Sequence, residues 1–515
     1  MKRRRLRALL FALAATCSGA GVFLAGGRAT TVPVGTYTNA PELPRLRPDY
    51  TEVTIPPNIA PLNFIIGESG RRYHVTVRSR QGRAIEISSR KPEIRIPMKP
   101  WKDLLALNRG NPLLLDVYVQ GKEGEWRRYQ TIANRIADED IDSHVIYRRM
   151  KPLYTFTRSV GVYQRNLENF NESLVLYAGS FGCVNCHTFP NNDPNKMVLG
   201  VRSRRYGSAT LLYDEGKVSK IGTRFGYTAW HPNRRLAVFP EYRVRLFFHT
   251  ARAGIRDVVD MDSRMCYYDF DKKKAGDIPP LADKNRLETY PAWSPDGRRL
   301  YFSSAPILWT DRHTVPPERY NEVRYDLRRV SYDEATGEWG EVETVLSAGE
   351  TGLSILLPRV SPDGRFLLFC MCDYGVFAVY QESSDLYLMD LETGKYRKLR
   401  KANSDRAESW HCWSSNGRWI VFTSKRTSAL FTKLYFSYID EAGNDSKPFL
   451  LPQKDPRYYD SFLNLYNVPE LVNGRLRASP RALLNAVRSP DKIEVDAVSG
   501  ATPEVPAPGP SQRQE

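Results

Sequence analysis

The chain has 515 residues, too many for one ordinary domain, and its 29 Tyr, 21 Phe and 9 Trp favour strands and turns over helices. A formal charge of +17 raises nucleic acid as a partner, but Lys2, Arg3, Arg4, Arg5 and Arg7 hold part of it in one terminal cluster. The remaining basic residues sit in strands and turns among Asp and Glu, with no basic helix, zinc-finger spacing or RNP-like aromatic strand, so a nucleic-acid-binding role is set aside.

Taken in chain order, residues 1–27 join that basic cluster to an apolar run from Ala8 to Ala25 and read as a signal peptide or membrane anchor. Cys17 adds lipid modification as a third alternative. All three place the remainder in the periplasm or cell envelope. Residues 28–48 carry Pro33, Pro41, Pro44 and Pro48 and read as a linker. Residues 49–150 read as a small β-sandwich-like domain, with strand runs at Tyr73 to Val77, Ile94 to Ile96 and Leu113 to Val119. Turn clusters at Gly67 to Gly70 and Gly121 to Gly124 separate them, and a short helix is expected over Trp101 to Leu107.

Residues 151–475 carry a repeat. Tyr227 to Phe239, Tyr290 to Phe302, Leu357 to Phe369 and Trp410 to Phe422 each read strand, tight turn, strand, two of them through Ser-Pro-Asp-Gly. Proline presets φ, Asp or Asn bonds its own backbone, and Gly takes the left-handed position. Further strand pairs follow, at Asp385 to Lys395 and Lys433 to Asp440, giving four strands per repeat and an all-β propeller. The aromatic-x-Trp-Ser-Pro-Asp-Gly-Arg-x-Leu-x-Phe pattern resembles the WD-like repeats of TolB-type β-propellers over roughly residues 208 to 450. That resemblance implies six blades and an envelope setting. Residues 476–515 form a C-terminal segment, with a short helix at Pro480 to Val487 and a proline-rich, disordered tail from Asp496.

The sharpest chemical feature is Cys183-Val184-Asn185-Cys186-His187. Two thiols at this spacing can each form a thioether to one haem, with the adjacent imidazole as proximal iron ligand, so covalent haem c, one per chain, is the expected cofactor. A thioredoxin-type disulfide, half of a zinc site and plain structural cysteines are the alternatives. Asn191 to Asn195 and Lys196 to Arg202 parallel the turn and second strand of the other repeats, which embeds the motif in the propeller. Met197 is the first choice for the distal iron ligand, against core packing; His231 and His411 come next. Cys266, Cys370, Cys372 and Cys412 read as buried thiols. No nucleophile elbow, phosphate loop or His-Glu-x-x-His occurs.

These readings converge on an envelope monohaem, cytochrome-like propeller that transfers electrons to periplasmic redox or protein partners, with possible anchoring to the membrane through its N-terminus. The alternatives are a non-catalytic propeller scaffold or binding protein with structural or sensory haem, and a haem enzyme such as a peroxidase.

Overall fold

The computed structural model describes residues 36–151, 159–249 and 256–495. The expected signal or anchor segment and the tail from Asp496 lie outside the described residues.

Between Tyr37 and Ile136 the chain forms a seven-stranded sheet and a three-stranded sheet. The long strands Arg72–Arg78 and Pro112–Gln120 pair antiparallel at the centre of the larger sheet, and their alternating pattern buries Tyr73, Val75, Val77, Leu113, Leu115, Val117 and Val119 on one side. The helix Met98–Leu107 is anchored by Trp101, whose indole N–H donates to the Ile59 carbonyl at 2.9 Å. The stretch expected to be a linker contributes structure here, because Tyr37–Asn39 pairs parallel with Trp126–Arg128 and Leu46–Arg47 pairs with Phe64–Ile66. Pro41, Pro44 and Pro48 fall beside these short strands and cost them no ladder hydrogen bond.

The remaining described strands form six four-stranded antiparallel sheets, arranged as in a β-propeller. Their inner strands are Cys183–Thr188, Ala229–Trp230, Arg286–Trp293, Ser354–Val360, Glu408–Trp413 and Leu465–Val472. Ala229–Trp230 touches Arg286–Trp293, and contacts continue through Ser354–Val360, Glu408–Trp413 and Leu465–Val472 to Cys183–Thr188. The last of these sheets joins the two ends of the array. Leu465–Val472 pairs with His144–Met150, which pairs with Gly161–Asn166 and Glu172–Tyr177. The propeller therefore begins at His144 rather than at residue 151, because the C-terminal strand takes its ladder partners from the N-terminal side of the array.

The repeat turns have the chemistry that their sequence encodes. Gly297, Gly364 and Gly417 have φ of +71°, +75° and +68°. Asp296 accepts from the Arg298 amide at 3.0 Å and from the Ser294 hydroxyl at 2.6 Å. In the C-terminal segment, the helix Pro480–Arg488 buries Leu483 and Val487 in an apolar cluster with Met197, Leu199, Val201 and Leu211.

Candidate functional site at the propeller axis

Each of five inner strands carries one non-glycine residue at positive φ: Cys186 at 57°, Tyr290 at 53°, Leu357 at 58°, Trp410 at 45° and Val468 at 46°. All five fall where the ladder register slips, between Asn185 and His187, Thr289 and Ala292, Leu356 and Arg359, Ser409 and Cys412, and opposite Ile146 to Arg148. Such a bulge leaves one residue out of the ladder and re-aims its side chain, at a backbone cost on the order of 1–2 kcal/mol each. In the repeat alignment these positions coincide with Tyr227, the first residue of its repeat. Cys186 therefore occupies, in the first of the inner strands, the place that Tyr290 and Trp410 occupy in theirs.

These residues meet. Tyr227 packs on Tyr290 at 4.7 Å and on Trp410 at 5.5 Å between ring centroids, and it stacks on Tyr242 at 5.4 Å. Tyr242 in turn accepts from Arg224 at 3.0 Å and from Arg202 at 3.3 Å, and the Arg224 guanidinium lies 4.7 Å above its ring. Burial raises the pKa of the Cys186 thiol, while Arg224, Arg148 and Arg202 act on it in the opposite sense. Cys183 is partly exposed and Cys186 is buried.

His187 follows Cys186 as His411 follows Trp410, and the two rings make the same contact. His187 Nε2 donates to the Ile146 carbonyl at 3.3 Å, and His411 Nε2 donates to the Leu368 carbonyl at 3.2 Å. Ile146 and Leu368 lie on the second strand of the neighbouring sheet in each case. Each imidazole thus ties one sheet to the next. Burial lowers the His187 pKa to about 4 and the His411 pKa to about 3, so both rings are neutral at neutral pH. His231 is also engaged, by the Gly297 carbonyl at 3.0 Å. Met197 is fully buried in the apolar cluster beneath the Pro480–Arg488 helix. Cys266, Cys370, Cys372 and Cys412 are buried thiols, and Cys370 lies 3.6 Å from His411 Nδ1.

A cleft lies at the other end of the inner strands from the Ser-Pro-Asp-Gly turns, on the side of the connections between second and third strands. It is lined by Met150, Arg256, Val379, Tyr380, Lys425 and Leu465, among others. The Arg256 guanidinium lies 4.7 Å and the Lys425 ammonium 5.8 Å from the centre of the Tyr380 ring. Glu382, also in the wall, is paired to Arg406 at 3.0 Å, and no carboxylate among the described residues lies within ion-pair distance of Lys425. Burial, and then Arg256, lower the Lys425 pKa to about 8. Neither Lys425 nor Arg256 stands in a sequence motif; only their convergence marks them.

No family model matches the chain. No curated protein matches it. Among solved structures, oligogalacturonate lyase from Vibrio parahaemolyticus aligns over 58% of this chain and 92% of its own, at 12% identity and a TM-score of 0.32. A luciferin-regenerating enzyme aligns over 59% and 90%, at 9% identity and 0.34. An oligogalacturonate lyase in complex with manganese aligns over 73% and 99%, at 13% identity and 0.33. Among the described residues, no group of three or more His, Cys, Asp or Glu side chains could hold a metal ion. The expectation of a haem- and iron-bearing, electron-transferring cytochrome is corrected: His187 Nε2 bonds the Ile146 carbonyl between sheets, and Met197 packs in the core.

Proposed function

We propose that this chain is an exported propeller of the TolB-like type, its six sheets being six blades, that binds a small organic anion in the cleft between Arg256 and Lys425. The observation that carries this reading is the convergence of these two cations on the face of Tyr380, with no carboxylate paired to Lys425 among the described residues. A lysine drawn out of water with no carboxylate at ion-pair distance among the described residues favours an anionic guest. Met150, Val379, Leu430 and Leu465 supply an apolar wall beside the charges, which suits a carboxylate or phosphate head on an apolar body. The basic and apolar N-terminal segment supports an envelope setting, where membrane-derived and periplasmic anions of this kind are at hand.

The test is isothermal titration of the purified chain with octanoate, and with octylammonium as the charge-reversed control. Octanoate is expected to bind, and Lys425→Ala is expected to weaken it by roughly tenfold, the worth of one charge-assisted hydrogen bond. Equal binding of the two probes, or no binding of octanoate, would overturn the proposal.

A further inference from the structure

We infer that the axial cluster around Cys186 and Tyr242 is a second, independent binding site, built for a compact dianionic oxyanion of the phosphate or dicarboxylate class. Three guanidiniums converge there. Arg202 and Arg224 both donate to the Tyr242 oxygen, at 3.3 and 3.0 Å, and Arg148 joins them in acting on the Cys186 thiol. None of the three has a carboxylate within ion-pair distance among the described residues. The internal segments 152–158 and 250–255 contain no Asp or Glu in their sequence, so they add no acid to the balance.

Arg359 shows what a structural arginine in the same ring of strands looks like. It lies on Ser354–Val360 and is paired at 2.7 Å with Glu470, a buried carboxylate on Leu465–Val472. Arg359 is thus given a counter-charge, and the buried Arg165 is instead satisfied by the carbonyls of Asn166, Asn169 and Pro452. The three guanidiniums around Cys186 have no such counter-charge among the described residues.

A second observation points the same way. Buried polar atoms without a partner gather at this place, and three of them are N–H donors: Arg148 Nε, Arg202 Nε and Trp410 Nε1. Trp410 belongs to the cluster through its packing on Tyr227, and Arg202 through Tyr242. The acceptors Asn185 Oδ1 and His187 Nδ1, on either side of Cys186, are also without a partner, so the imbalance rests on the arginines: leaving a buried donor unsatisfied costs about 1–3 kcal/mol, and these three N–H groups beside three guanidiniums with no carboxylate at ion-pair distance among the described residues favour an acceptor-rich anion. Two charges on the guest match the excess better than one, and guanidinium forks suit the planar or tetrahedral oxygens of carboxylate and phosphate. Cys183, partly exposed, stands beside Arg202 in the same cluster, which gives the site a chemical reporter.

The experiment measures thermal unfolding of the full chain in inorganic phosphate and, separately, in succinate, each against sodium chloride at the same ionic strength. Alkylation of Cys183 is followed in the same buffers by mass spectrometry of the peptide. A saturable rise in Tm of a few degrees is expected with one or both anions, together with slower Cys183 alkylation. Phosphate alone giving the rise assigns the phosphate class, and succinate alone assigns the dicarboxylates. The Arg202→Gln, Arg224→Gln double variant is expected to lose both effects, and Lys425→Ala to keep them, which separates this site from the cleft. Should the double variant not fold, Arg224→Lys serves, with the saturation midpoint expected to move about tenfold higher. No saturable effect of either anion on the wild type, or an equal effect in the arginine variants, would overturn the inference.

Discussion

His231 donates from Nε2 to the carbonyl of Gly297 at 3.0 Å, tying the repeat turn of one sheet to the repeat turn of the next. Gly297 has φ +71°, and a Cβ added there would meet His231 Nε2 at 2.3 Å; at Gly364, with φ +75°, the nearest atom is Pro295 at 3.8 Å. The two positions therefore share backbone strain and differ in space. Gly364→Ala is expected to cost roughly 1–2 kcal/mol, and Gly297→Ala at least about 1 kcal/mol more, in urea unfolding. His231→Ala should recover part of the Gly297→Ala loss and none of the Gly364→Ala loss. Equal costs at the two glycines would show that the clash with His231 is relieved without penalty.

The equivalence of His187 and His411 predicts a shared acid response. Burial is the main cause of the lowered pKa of both, to about 4 and about 3, and of His144, to about 4. A histidine whose folded pKa lies below its unfolded value binds fewer protons when folded. Its contribution is complete above an unfolded pKa of about 6.5 and falls as the pH drops through the window down to the folded value. Stability is expected to decline from pH 6.5 towards pH 4, and His411→Gln, measured by unfolding at several pH values, should flatten that slope. An unchanged slope in both His187→Gln and His411→Gln would remove these rings from the account.

Asp260 acts with the opposite sign. Burial is the main cause that raises its pKa to about 7, and it lines a small cleft with Trp309, Tyr320, Tyr325 and Tyr374. A carboxyl whose folded pKa is raised holds its proton in the folded state, so its contribution is complete below about pH 4 and is lost as the pH rises through 7. Asp260→Asn is expected to be more stable than the wild type at pH 8 by at least about 1 kcal/mol, with the difference shrinking at pH 5. A variant less stable than the wild type at both pH values would show that the proton is not what Asp260 brings to the fold.

Anion binding in the cleft should depend on pH through Lys425. Its ammonium, with a pKa lowered to about 8 by burial first, carries charge below that value and loses it above. Octanoate affinity is expected to fall between pH 7 and pH 9, and the fall should be absent in Lys425→Arg, whose charge persists. A pH-independent affinity in the wild type would place the anion contact elsewhere.

The repeats were legible in the sequence because turn chemistry is local. Ser294 to Gly297 and Ser361 to Gly364 carry, within four residues, the proline, the bonding carboxylate and the left-handed glycine that the turn requires. Mostly-β architecture followed from the same pattern together with the aromatic content. The Cys183 to His187 spacing was equally visible, and its meaning was not. Spacing states which groups lie close along the chain, and whether His187 faces a guest or a carbonyl depends on Ile146, which precedes it by 41 residues. The equivalence with His411 appears only once the ladders fix both imidazoles at the same register of the ring. The arginines were hidden for a related reason. Arg148, Arg202 and Arg224 are scattered among acidic residues and look like diffuse surface charge, and so do Arg256 and Lys425. Electrostatic energy depends on distance in space and on exclusion from water, neither of which is written along the chain, so only the packing of inner strands from different sheets turns those residues into sites.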